Sequence, residues 1–305
     1  MTNTTGVEPR IGGDFGADFG GDFGGDACVP REAAGGPPRS ADGRASRHAF
    51  AGVLAVLFAA GVAGTIVQSA SMASMGGVPM AGGWMLSTAW GRLCGQTWPG
   101  AAAAFLGMWG AMTVAMMLPS LAPTLWRYRE AVGVASVTGA ARRGRLTALV
   151  GAGYFSVWGA FGLAVFPAGA LLAGLAVRLP GLARTFPVLA GAVVLLAGAL
   201  QFTEWKARRL ACCRGEATHA ASLRACTGTA WRHGLRVGLH CGACCANLMA
   251  IAFATGVMDL RVMAVVAVAI AAERIAPDGA RAARIVGRVA VVAGLWLIAR
   301  AAGLA

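Results

Sequence analysis

Three cysteines, Cys241, Cys244 and Cys245, lie within five residues of a strongly apolar segment. Spacings of three and four residues place side chains on one face of an α-helix. A single cysteine in such a helix usually packs as a small apolar side chain. Three thiols together, with His240 beside them, are better explained by binding of a soft metal ion or by exchange of electrons.

Methionines repeat in a similar way on a second apolar segment. Met112 and Met116 are four residues apart, Met117 follows directly, and Met249 continues the row of the cysteine segment. Thioethers bind Cu(I) and other soft ions without losing a proton, although a row of methionines also serves simply to pack a helix face. The two rows would form a soft-metal site inside a membrane if their helices face each other.

Most of the other residues that could bind metal or carry charge lie in a basic segment that precedes the three cysteines, or in the apolar segment that follows them. Six of the eight cysteines lie between positions 212 and 245. Paired cysteines indicate disulfides mainly in small secreted proteins, so metal binding or thiol exchange is the better expectation here. Cys212, Cys213 and Cys226 could pass metal onward or remain free thiols. Glu273 lies near a helix end, where we expect it to pair with Lys206 or an arginine.

The composition is that of a membrane protein. Hydrophobic residues make up 57% of the chain and charged residues 13%, against roughly half and a quarter in soluble domains. We therefore predict an all-α, polytopic transmembrane helix bundle of about seven helices, embedded in the lipid bilayer. The predicted spans are 49–70, 100–122, 147–177, 186–203, 235–257, 261–275 and 285–302.

The charges are also distributed as in membrane proteins. The net charge is +13, but the arginines lie mainly between the apolar stretches, which argues against nucleic acid as a partner. Their alternation from loop to loop predicts a cytoplasmic N-terminus and a C-terminus on the periplasmic or external side. Residues 1–48 carry Asp-Phe-Gly triplets in a glycine-rich run. They predict a disordered cytoplasmic tail before a transmembrane helical domain over residues 49–305.

A longer pattern joins these segments. The second apolar segment reads W-x-x-M-x-x-A-M-M-x-P from Trp109 to Pro119. With this motif and the cysteines, the chain resembles a bacterial family of predicted metal-binding integral membrane proteins, which includes a copper chaperone needed for polyphenol oxidase activity. The resemblance covers roughly residues 100–276. Further matching positions are Tyr154, Trp158, Gln201, Thr203, Lys206, Leu248, Met249, Gly256, Met258 and Glu273.

The chain departs from the family pattern around its cysteines. The family's histidine four residues before the first cysteine is Val237 here, and the aromatic residue just before that cysteine is His240. One of the two cysteines that usually follow the family's lysine is replaced by Arg209, which leaves Cys212. These differences affect the exact set of metal ligands.

The resemblance implies a protein of the bacterial cytoplasmic (inner) membrane that binds copper as Cu(I) and helps deliver it to a copper-receiving enzyme. A copper ion is thus the expected metal. No catalytic residues are predicted, so we do not expect an enzyme. Thiolate ligands predict an affinity for metal that rises with pH. The predicted metal ligands are Cys241, Cys244, Cys245, His240, Met249, Met112, Met116 and Met117.

Two other functions remain open. Cys241 and Cys244 form a C-x-x-C pair, which could serve a membrane thiol–disulfide oxidoreductase, although Cys245 suits a metal better than a two-electron couple. A passive metal transporter is the other alternative, because the sulfur rows could line a pathway and no ATP-binding motif accompanies them. The sequence leaves the oligomeric state open.

Overall fold

The apolar stretches fold as helices, because only a helix satisfies its own backbone hydrogen bonds within one segment of a membrane-embedded chain. The computed structural model describes residues 40–74, 76–91, 95–135, 139–219, 226–256 and 259–303. The predicted all-α helix bundle is confirmed for these residues, with one short antiparallel hairpin added. The helices are α1 (Ser40–Ser74), α2 (Trp98–Ala135), α3 (Ala140–Arg178), α4 (Pro180–Leu200), α5 (Glu204–His219), α6 (Thr227–Thr255), α7 (Leu260–Ile275) and α8 (Gly279–Ala301), and the hairpin pairs β1 (Val78–Met80) with β2 (Trp84–Leu86).

Each predicted span corresponds to one helix, but the spans are not equivalent. Within the described ranges, six helices are long and apolar enough to cross a membrane: α1, α2, α3, α4, α6 and α8. The sixth predicted span is α7, which has 16 residues. At 1.5 Å per residue it measures about 24 Å, less than the roughly 30 Å of a hydrocarbon core. The expected seven spans are therefore six long ones and one short helix packed among them.

The start of α1 shifts the boundary of the tail. The helix begins at Ser40, so the last residues of the segment predicted as a disordered tail are helical. Residues 1–39, which hold the Asp-Phe-Gly triplets, lie outside the described part of the chain, as does Met258.

Glycines bring α3 and α6 into backbone contact. A Cβ built on Gly234 of α6 would lie 2.2 Å from the carbonyl oxygen of Val150, and one on Gly153 of α3 would lie 2.6 Å from the carbonyl oxygen of Trp231. Small residues allow this approach, which increases dispersion contacts between helices that gain little from hydrophobic burial in lipid. The helix that carries the three cysteines is thereby held firmly against α3.

The first half of α5 has one buried face and one exposed face. Lys206, Leu210 and Cys213 are buried, whereas Arg209 and Cys212 beside them are exposed. Residues at positions i, i+4 and i+7 lie on one helix face. α5 therefore turns this face toward α6 and α7 and leaves its basic face outside.

Candidate metal centre

The three cysteines of α6 lie in the core of the bundle. The exposed fractions of Cys241, Cys244 and Cys245 are 0%, 0% and 1%. The sulfur atoms of Cys241 and Cys245, one helical turn apart, are separated by 3.8 Å. All three are free thiols, so Cys241 and Cys244 are not joined as a disulfide.

A fourth thiol, on α5, joins this group. Cys213 is 5% exposed, and its Sγ donates a hydrogen bond to the carbonyl oxygen of His240 at 3.0 Å. A hydrogen bond with Cys244, together with burial, raises the pKa of the Cys213 thiol above its ordinary value. We refer to Cys213, Cys241, Cys244 and Cys245 as the thiol cluster.

Cys213 was left open as a metal relay or a free thiol and was not among the predicted metal ligands; it is a free thiol. Cys212 was taken as the cysteine that remains after the family's lysine, yet it is exposed on α5. The spacing from Lys206 could have indicated that Cys213 is buried. Lys206, Leu210 and Cys213 are at positions i, i+4 and i+7 and therefore lie on one helix face. Cys226 was left open as a metal relay or a free thiol, and it is disulfide-bonded.

Two donors approach the sulfur of Cys241. The hydroxyl of Tyr154 donates to it at 3.1 Å, and the guanidinium of Arg274 donates at 2.9 Å. Arg274 also donates to Ser120 Oγ at 3.2 Å, which ties α7 to α2 beside the cluster. Donors that surround a sulfur atom stabilise its anionic form. Arg274 lies at the end of the sixth predicted span, and its side chain turns inward from the last turn of α7.

A buried ion pair supports the other side of the cluster. Lys206 Nζ lies 2.7 Å from Glu273 Oε2, and each side chain is 1% exposed. The same ammonium group donates to the carbonyl oxygen of Cys244 at 2.8 Å, and Gln201 donates to the second carboxylate oxygen at 2.6 Å. The expected pairing of Glu273 with Lys206 is confirmed, and it fixes α5 and α7 against the cysteine helix.

Two methionines of α2, Met112 and Met116, lie on the same face of that helix as Trp109 and Ser120. The ring of Trp109 stacks on Phe253 of α6 at a centroid distance of 5.6 Å, and Ser120 reaches the cluster through Arg274. These two α2 residues are eleven apart, which is close to three full turns and therefore one face. Met116 lies on that face one turn from Ser120, with Met112 a further turn away. Both methionines are 3% exposed.

The other predicted ligands differ in how deeply they are buried. Met117 is 0% exposed and Met249 is 5% exposed, one turn beyond Cys245. His240 is half-buried, and its carbonyl oxygen is the group that accepts the Cys213 hydrogen bond. Among the residues that the structure describes, no three or more His, Cys, Asp or Glu side chains are already arranged to hold a metal ion. The thiols are instead hydrogen-bonded to one another and to their neighbours.

A family model matches more than half of the chain. Residues 106–297 match the family named PpoB2, which is described as a copper chaperone. The matched range contains the thiol cluster and both rows of methionines, and it continues past residue 276, where the resemblance noted from the motifs ended, into α8. No curated protein and no solved structure matched the chain.

Proposed function

This chain belongs to the PpoB2 copper chaperone family, and from that premise we propose that it holds Cu(I) in the thiol cluster and passes it to a copper enzyme. The observation that carries the proposal is the convergence of four buried thiols from two helices, α5 and α6. Thiolates and thioethers are the ligands that select Cu(I) over the harder divalent ions. The protein would act as a carrier of the ion and not as an enzyme.

We assign the ligand roles by charge and position. The first ligands are Cys241, Cys244 and Cys245, as the sequence indicated, and Cys213 is added to them because it reaches Cys244. Thioethers are weaker, neutral ligands that assist a thiolate site. We therefore place Met249, Met112, Met116 and Met117 in this second group, together with His240.

Loading the cluster exchanges hydrogen bonds for metal–sulfur bonds. The ion displaces protons from thiols, and the thiol rotamers turn from one another toward the metal. Tyr154 and Arg274 remain available to donate to the bound thiolate of Cys241, in the way that partners beyond the ligands commonly tune metal sites. Lys206 keeps Cys244 in place through its carbonyl oxygen.

α5 is the natural place for exchange with a partner, because it lies across the thiol cluster. Arg214 anchors the helix beyond Cys213 by donating to carbonyl oxygens at the end of α7: 3.1 Å to Glu273, 3.2 Å to Arg274 and 2.7 Å to Ala276. Lys206 anchors it on the other side. If the part of α5 between Lys206 and Arg214 moved away from α6, the thiols would become accessible to a copper donor or to the receiving enzyme.

The orientation proposed from the arginines agrees with the path of α7. Glu273, near the end of α7, reaches Lys206 at the start of α5, so α7 returns the chain to the α5 side. Antiparallel packing of α8 on α4 follows, with Gly191 close to Ile298 and Gly198 close to Val291. This path supports termini on opposite sides of the membrane. From the distribution of arginines we propose that the membrane is a bacterial inner membrane and that the N-terminus and α5 face the cytoplasm.

Copper binding by purified protein in detergent tests the proposal. Cu(I) is loaded under anaerobic conditions, in competition with a chromophoric chelator, into the parent protein and into a Cys241/Cys244/Cys245→Ser variant. We expect the triple variant to lose tight binding, while the exposed control Cys212→Ser binds like the parent. Equal copper affinity in the triple variant and the parent would exclude the proposal. A copper flux in proteoliposomes that depends on these cysteines would instead favour the transporter.

A further inference from the structure

The first turns of α8 carry three exposed arginines on one face. Arg281, Arg284 and Arg288 follow each other at spacings of three and four residues, so their side chains project from the same side of the helix. Together with Ile285 they line an open cavity of about 320 Å³. The buried residues of α8 lie on another side of the helix. The cavity therefore opens away from the bundle.

The neighbouring helix α4 indicates how deep in the membrane these arginines lie. α4 has 21 residues and measures about 31 Å at 1.5 Å per residue, which matches a hydrocarbon core of roughly 30 Å. A Cβ built on Gly287 would lie 2.8 Å from the Cβ of Gln201, the residue that follows the end of α4. Arg288 is therefore at the boundary of the hydrocarbon core. Arg284 and Arg281 lie one and two turns beyond it, at the level of the lipid headgroups.

The same face of α8 is apolar on the membrane side of the arginines. Val292 and Leu295 continue the row at spacings of four and three residues, and they are 67% and 54% exposed. Exposed apolar side chains of a spanning helix contact the acyl chains of the lipid. A molecule bound along this face would meet positive charge at one end and apolar side chains along the rest, which is the arrangement that an anionic phospholipid complements.

The charges on this face indicate how many phosphates fit it. Arg281 Nε lies 3.7 Å from Asp278 Oδ2, so one of the three positive charges has a partner on the chain. Within the residues that the structure describes, the side chains of Arg284 and Arg288 form neither an ion pair nor a hydrogen bond. Two positive charges remain at the edge of the hydrocarbon core, where an uncompensated charge is costly. A headgroup with two phosphates balances them.

We propose that this face of α8 binds a dianionic phospholipid of the cardiolipin class, in the leaflet on the α5 side of the membrane. Guanidinium groups bind phosphate oxygens through paired hydrogen bonds, and basic pockets of transmembrane helices take up such headgroups. Arg284 and Arg288 contact the two phosphates, and the acyl chains lie along Val292 and Leu295. This lipid site goes beyond the proposed function and does not depend on it.

Lipid binding to the full-length protein in detergent tests the proposal by native mass spectrometry. Delipidated protein is titrated with cardiolipin, phosphatidylglycerol and phosphatidylcholine that carry the same oleoyl chains. Arg284→Gln/Arg288→Gln removes two charges from the face, and Arg284→Lys/Arg288→Lys keeps them. Arg208→Gln/Arg209→Gln is the matched control, because it removes two charges from exposed arginines of α5.

We expect the parent to bind cardiolipin about fivefold more tightly than phosphatidylglycerol, and phosphatidylcholine most weakly. The change to two glutamines should weaken cardiolipin binding about 30-fold, which corresponds to about 1 kcal/mol for each arginine. The lysine variant and the α5 control should bind cardiolipin within about threefold of the parent, since both keep the two charges of this face.

Three results would overturn the proposal. The first is equal affinity of the parent for cardiolipin and phosphatidylglycerol, a comparison that needs no variant. The second is unchanged cardiolipin binding in Arg284→Gln/Arg288→Gln. The third is an equal loss in Arg208→Gln/Arg209→Gln, which would mean that the lipid responds to net charge and not to this face of α8. Copper binding through the thiol cluster stands or falls separately, with the Cys241/Cys244/Cys245→Ser variant.

Discussion

Lys206 Nζ and Glu273 Oε2 lie 2.7 Å apart at a point where both side chains are 1% exposed. This pair joins α5 to α7, and its ammonium group also holds the backbone of the cysteine helix at Cys244. Three helices therefore meet at one buried charge pair next to the thiol cluster. The geometry of the cluster depends on this junction.

Breaking the pair on one side should destabilise the bundle strongly. Lys206→Met or Glu273→Gln leaves the other group buried without its counter-charge, which typically costs about 3–5 kcal/mol. The double variant should cost less than the sum of the two single ones. Chemical unfolding in detergent measures all three, and additive losses would show that the pair is not coupled.

Cys213→Ser should weaken Cu(I) binding although the residue lies outside the C-x-x-C-C segment. Loss of a group that contacts the ligands costs about 10–100-fold in metal affinity at comparable sites. Cys212→Ser provides the matched control, because it makes the same change on the exposed face of the same helix. Chelator competition compares the two variants. Equal affinities would remove Cys213 from the site.

The affinity for Cu(I) should rise with pH. Protons compete with the metal for sulfur, so each thiol that stays protonated without metal adds to the slope of the affinity against pH. The raised pKa of Cys213 keeps its thiol protonated at neutral pH. If Cys213 becomes a ligand, Cys213→Ser should flatten the slope of log affinity by about one unit per pH unit. A slope identical to that of the parent would show that this thiol keeps its proton when copper binds.

Arg214→Gln should make the thiol cluster more reactive. The substitution removes hydrogen bonds from α5 to the carbonyl oxygens of Glu273, Arg274 and Ala276. Labelling with a water-soluble maleimide, followed by mass spectrometry of the peptides that contain Cys213, Cys241, Cys244 and Cys245, measures how fast the buried thiols react. Arg208→Gln changes an exposed arginine of the same helix and should react like the parent. Identical rates in all three would contradict a gating role for α5.

Gly234→Ala should destabilise the bundle far more than Gly228→Ala on the same helix. A Cβ at Gly234 would lie 2.2 Å from a carbonyl oxygen of α3, whereas one at Gly228 meets nothing within 4 Å. Forcing extra volume into a tight contact costs about 1–3 kcal/mol or more. Unfolding in detergent compares the two variants, and similar stabilities would show that α3 and α6 separate easily.

The helix bundle could be predicted from the sequence, because hydrophobicity largely determines which segments enter a membrane. The prediction from hydrophobicity was incomplete at α7. This apolar segment is about four residues too short to cross the hydrocarbon core of a membrane. The run ends in the charged residues Glu273 and Arg274, which hydropathy alone does not place in the core of a bundle. Their burial depends on partners contributed by other helices, and hydropathy does not include those partners.

The cysteines of α6 were found from their spacing, because helix periodicity acts within one segment. Neither Cys213 nor Arg274 was placed beside these cysteines, since each reaches the cluster by a contact between helices. α5 is the instructive case. Its buried face could be read from Lys206, Leu210 and Cys213, but a short basic helix between two spans gives no signal that this face is inserted into the core.

The ion pair of Lys206 and Glu273 also constrains how the protein is made. Translation produces α5 and then α6 well before Glu273 leaves the ribosome. During this interval Lys206 stays in water, because burying it alone would be costly, so α5 remains off the cysteine helix. The thiols of α6 are therefore enclosed only when α7 arrives. In a living cell, nascent chains would pass through a stage in which the binding site is open to cellular thiols and metals, and the order of synthesis sets its duration.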